Sequence, residues 1–140
     1  MKTIGPKITE YDINILEDKY SISFPNDYKK FLLKFNGGIV ENTYFFYDDD
    51  AIVLNFILSI KQEKLNLEEY IQDYTIKEII SSNFIPIAED VFGNLVCLYI
   101  SINQPDYGKA YFWSHEFPED GMRFVANSFS EFFNGLSDKR

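Results

Sequence analysis

The 140 residues suit one domain, 1–140, since domains run about 100 to 150 residues, and 14 Phe and 10 Tyr can fill a core without disulfides or a structural metal. A single Cys excludes an intramolecular disulfide, and the longest apolar-rich stretch, Ala51 to Ile60, is far short of the roughly 20 residues a membrane helix needs. A net charge of −9 argues against direct nucleic-acid binding, which needs clustered Lys and Arg, and the lack of a basic-then-apolar leader leads us to expect a soluble cytoplasmic protein.

Taken in chain order, Thr9 with Asp12 resembles an N-cap. Ile13, Leu16 and Tyr20 then fall at helical spacing, predicting a helix over 10–20. Pro25 can open a second helix, because its missing N–H costs nothing in the first turn. Tyr28, Phe31, Leu32 and Phe35 recur on one face of it, Lys29, Lys30 and Lys34 take the other, and Asn36-Gly37 provides a left-handed stop. Ile39 to Tyr47 is rich in aromatic and β-branched residues and reads as a strand that ends at a surface turn, Asp48-Asp49-Asp50. Ala51 to Ile60 is a second strand candidate with some helical character. Asn66 with Glu69 is a capping signature, and a third helix is predicted over 67–80, although Thr75 and Ile76 weaken it.

Three short apolar runs follow: Phe84 to Ala88, Leu95 to Ile100 and Ala110 to Trp113. Runs of this kind suit strands covered on both faces. Gly93-Asn94 and the 103–108 loop, with Pro105 and Gly108, join them with turn chemistry. Cys97, inside the second run, reads as a buried small hydrophobe. Met122 to Val125 is an edge-strand candidate. Ser128 with Glu131 is a capping box, and Phe129, Phe132, Phe133 and Leu136 give the closing helix one apolar face.

Four pieces of this pattern resemble the SUKH superfamily, in its Smi/Knr-like branch. They are Ile15-Leu16-Glu17 leading to Phe24-Pro25-Asn26-Asp27-Tyr28 and Asn36-Gly37-Gly38; Ile85-Pro86-Ile87-Ala88-Glu89-Asp90 with Gly93-Asn94; Tyr111-Phe112-Trp113-Ser114-His115-Glu116; and Ala126-Asn127-Ser128-Phe129 with Glu131-Phe132-Phe133. Phe24 stands where the family often has Leu, and residues 39–83 carry no motif of the family. The resemblance implies an α+β fold with helices packed on a mixed, mostly antiparallel sheet, two of them N-terminal and one C-terminal. It also implies a bacterial immunity protein that binds and neutralises a toxin, often a nuclease. An intracellular regulatory or scaffold module, as in fungal members, is the alternative it leaves open.

No catalytic constellation accompanies these pieces. His115 is the only histidine, with no second metal donor or nucleophile in view, and reads as a strand-end side chain. Asp48 to Asp50 lack the spacing of a calcium loop, and no phosphate loop, nucleophile elbow or zinc helix occurs. No enzyme, cofactor or metal is expected. The acids are nevertheless uneven along the chain. Asp48, Asp49 and Asp50, Glu89 and Asp90, and Glu116, Glu119 and Asp120 each fall at a predicted strand end. Brought to one edge and bordered by Tyr47, Phe92 and Trp113, they would make a negative surface for a basic protein partner.

Overall fold

Antiparallel pairing of consecutive segments organises the chain, whose computed structural model describes residues 1–138, the side chains of Glu41 and Asn42 lying outside that description. Two helices, α1 (Glu10–Tyr20) and α2 (Asn26–Lys34), precede the strands β1 (Gly38–Tyr47) and β2 (Asp50–Ile57). A helical segment, α3 (Leu67–Tyr70), runs on as a wider π-helical turn (Ile71–Ile76). Strands β3 (Phe84–Asp90), β4 (Leu95–Tyr99), β5 (Ala110–Trp113) and β6 (Arg123–Ala126) follow, and α4 (Phe129–Asn134) closes the order. The six strands form one sheet in the order β1-β2-β3-β4-β5-β6, antiparallel at every step. The parallel contact, Ser59 with Asn66, is an isolated bridge outside the strands.

Local chemistry accounts for the element ends. The Thr9 N–H donates to Asp12 Oδ2 at 2.9 Å, which starts α1. Pro25 sits one residue before α2, and Lys29 N–H reaches its carbonyl at 3.0 Å. Asn36 and Gly37 both take positive φ, so the chain reverses into β1. A side chain at Gly37 would lie 2.5 Å from the Leu58 carbonyl, so space as well as φ demands glycine there. Ser128 Oγ accepts from Glu131 N–H at 3.0 Å, and Glu131 reaches back to Asn127 N–H at 3.1 Å, which starts α4.

The helices α1, α2 and α4 pack on one face of the sheet. Tyr28, Phe31, Leu32, Phe129 and Phe132 meet Ile85, Ile87, Val96 and Leu98 there in the main core. Phe31 and Phe129 rings lie 4.8 Å apart, and Phe45 meets Phe132 at 4.9 Å. Phe35 and Phe133 complete the aromatic stack from a half-buried position. On the opposite, outer face, the α3 segment covers a second small cluster of Ile80, Leu95, Cys97 and Trp113. This double cover is why Leu95 to Leu98 are all buried, as their unbroken apolar run predicts. Burial also pushes the Cys97 thiol far up from its ordinary value.

The third helix is shorter than its sequence suggests. Regular α-helix stops at Tyr70, and the π-helical turn ends at Ile76 rather than Ile80. Thr75 is the reason visible in the structure: its hydroxyl donates to the Phe84 carbonyl at 2.8 Å, tying the segment to the sheet while Tyr74 packs on Trp113. Likewise β2 ends at Ile57, not Ile60, because Asn36 takes over the backbone of Ile60. The sheet curls strongly. Arg123 on β6 lies over the Tyr47 ring of β1 and 3.8 Å from Asp50, although β1 and β6 are opposite edges of the sheet.

Candidate functional site

In a meander of this order the β1–β2, β3–β4 and β5–β6 connections all fall at the same end of the sheet. Those are the loops that hold the predicted acids. The β1–β2 hairpin turns through Asp48, whose φ is +50°, and Asp49, and presents Asp48, Asp49 and Asp50 to solvent. The β5–β6 connection is exposed from His115 through Asp120, carrying Glu116, Glu119 and Asp120. Contacts knit the loops together. His115 N–H donates to Asn94 Oδ1 at 3.1 Å, and His115 Nε2 donates to the Phe92 carbonyl at 2.9 Å. Val91 N–H in turn reaches the Val53 carbonyl of β2 at 2.9 Å.

Four residues expected at this surface are buried or bonded within the fold. Asp90 is 3% exposed. Its Oδ1 accepts from Phe92 N–H at 2.9 Å and Asn94 N–H at 2.7 Å, so the carboxylate builds the turn whose Gly93 has φ +86°. Glu89 is half-buried under the α3 segment and accepts from the Tyr70 hydroxyl at 2.9 Å. Burial first, and then this bond to a carboxylate, drive the Tyr70 phenol far above its ordinary value. Trp113 is 6% exposed and belongs to the outer-face cluster. Tyr47, expected as a bordering aromatic, is also buried, which raises its phenol.

The surface therefore consists of Asp48, Asp49, Asp50, Phe92, Glu116, Glu119 and Asp120. Apolar groups that the sequence reading did not select stand among them. Phe46, Val91 and Phe117 are all exposed, and Phe92 is the most open of the set at 67%. Strand parity would have found Phe46, since Phe45 packs inward on Phe132. The aromatic run Tyr44 to Tyr47 hides that parity, because both faces carry large rings. Among the described residues no group of three or more His, Cys, Asp or Glu is placed to hold a metal ion, and no helix is long and apolar enough to cross a membrane.

A curled antiparallel sheet with α1, α2 and α4 on one face and the α3 segment on the other defines an α+β domain. The chain belongs to the SMI1 / KNR4 family (SUKH-1), whose model matches residues 7–135. It is 30% identical over 152 aligned positions to the SPbeta prophage-derived uncharacterized protein YokK of Bacillus subtilis (strain 168), an alignment covering 94% of this chain and 76% of that relative.

Proposed function

We propose that this protein is a non-enzymatic immunity protein that binds and neutralises a cognate toxin, a nuclease domain, by laying the acidic end of its sheet over the toxin's positive substrate cleft. The observation that supports this reading is the convergence of Asp48–Asp50 and Glu116, Glu119 and Asp120 at one end, through loops in contact with one another. A nuclease must carry a cationic cleft for phosphate, and an acidic protein surface competes for that cleft while speeding encounter. Exposed Phe46, Phe92 and Phe117 supply the apolar contact that slows dissociation. The prophage origin of the Bacillus subtilis relative agrees with such a role. His115 holds two loops together instead of turning over substrate, so His115→Ala should leave neutralisation largely intact.

The test is co-expression with the toxin domain encoded beside this gene. Wild type should restore growth, and a variant with Asp48, Asp49, Asp50, Glu116, Glu119 and Asp120 all changed to their amides should protect much less while melting normally. Full protection by that folded variant would reject the acidic surface. Failure of the wild type to bind any neighbouring toxin, with an unrelated operon around the gene, would favour the regulatory or scaffold reading.

A further inference from the structure

Beside the acidic turn, on the outer face of the sheet, lies an open groove of about 440 Å³, lined by Phe46, Ala51, Val53, Phe92 and Asp48–Asp50. Accepting the acidic end as the docking surface, we propose that this groove receives an arginine side chain presented by the protein partner. Phe46 and Phe92, 49% and 67% exposed, are its aromatic lining residues, and Ala51 and Val53 form its apolar floor.

Charge complementarity selects the occupant. Every charged residue lining the groove is an aspartate. Asp50 is already engaged, with Oδ1 accepting from Ala51 N–H at 2.8 Å and Oδ2 facing Arg123 at 3.8 Å. The carboxylates of Asp48 and Asp49 have no hydrogen-bond or ion-pair partner among the described residues, which leaves two acceptors for an incoming cation. Arginine fits better than lysine. Its planar guanidinium stacks on phenyl faces, is weakly hydrated and forks onto carboxylates, while its aliphatic stem covers apolar floor. Lysine would satisfy the charge but, as a compact and strongly hydrated ammonium, gains less from the rings. An acidic ligand would be repelled.

The experiment uses the full chain, ¹⁵N-labelled, titrated with blocked hexa-arginine, hexa-lysine and hexa-glutamate peptides at low salt. Hexa-arginine should shift the amides of Phe46, Ala51, Val53 and Phe92 and bind at least five-fold tighter than hexa-lysine, with hexa-glutamate silent. Ala51→Trp, which fills the floor and keeps every acid, should weaken hexa-arginine at least ten-fold. Phe92→Ser, at an exposed turn position where folding is not at stake, should reduce the preference for arginine over lysine towards one. Equal affinity for the two cationic peptides, or shifts confined to residues 116–120, would overturn the assignment. So would a folded Ala51→Trp variant that binds like wild type. Any of these results would leave the acidic surface standing, since charge-dependent protection against the toxin is read separately by the amide variant.

Discussion

At the end of the sheet where β2 leaves for α3, polar side chains are buried and bonded. Asn36, 2% exposed, donates to the Pro6 and Ile60 carbonyls at 2.8 and 2.9 Å and accepts from Ile60 N–H at 2.8 Å. Glu17 on α1, nearly buried, accepts from Phe24 N–H at 2.8 Å and pairs with Lys29 at 3.2 Å. At the hairpin end, Asp48, Asp49, Glu116, Glu119 and Asp120 stand in water beside exposed phenyl rings. A buried polar group must find partners or cost stability, so the first set is explained by folding. Folding does not account for the second set. Exposed apolar rings are unfavourable for solubility and weakly favourable for stability at best, and their placement among the acids is what the proposed docking at this end would use.

Substitutions should separate the two ends, beginning with the core that supports both. Phe132→Ala should destabilise by about 3 to 5 kcal/mol in denaturant melts, the cost of emptying a fully buried aromatic site. A loss below about 1 kcal/mol would mean that α4 is not packed as described. Asn36→Ala should cost about 2 to 4 kcal/mol by the same measurement, because it orphans the Ile60 amide and two carbonyls and loses a residue suited to φ +48°. Asp90→Ala, at the acidic end but built into its turn, should cost about 1 to 3 kcal/mol, setting it apart from its exposed neighbours. If Asp90→Ala were neutral in stability, the division between structural and free acids would fail.

The smallest expected effect is a pH dependence on the helical side. Glu68 accepts from Lys19 at 2.6 Å and from the Tyr20 hydroxyl at 2.7 Å, and these bonds hold its carboxyl below its ordinary value of 4.5. A carboxyl depressed by folding stabilises the native state above its unfolded pKa and loses that contribution as pH falls through the folded value. Glu68→Gln should therefore be slightly less stable than wild type at neutral pH, with the difference shrinking below about pH 4.5. Thermal melts across that range check it, and a gap that widens on acidification would contradict the assignment.

Much of this arrangement was legible in the chain. The capping pairs Thr9 with Asp12 and Ser128 with Glu131, the turn at Asn36-Gly37 and the continuous run at Leu95–Leu98 each carry a local rule that the tertiary structure obeys. The α3 segment was less legible, because the sheet contact made by Thr75 decides its ending and lies nine positions away at Phe84. For the surface, loop acids were visible as loop acids, but which were free was not. Glu89 and Asp90 are adjacent in sequence to the exposed Val91 and Phe92, and only the fold turns the first pair inward. Phe46 was hidden for a different reason, since the aromatic run Tyr44 to Tyr47 puts large rings on both faces of β1.

The central claim is that the exposed acids at the hairpin end serve association and not folding. Stopped-flow association of the cognate toxin, measured against ionic strength, tests it most directly on two variants: Asp48, Asp49 and Asp50 changed to Asn, and Glu116, Glu119 and Asp120 changed to their amides. Both should melt within about 0.5 kcal/mol of wild type, associate several-fold more slowly at low salt and show a flatter salt dependence. Association rates equal to wild type at every ionic strength in both folded variants would contradict it.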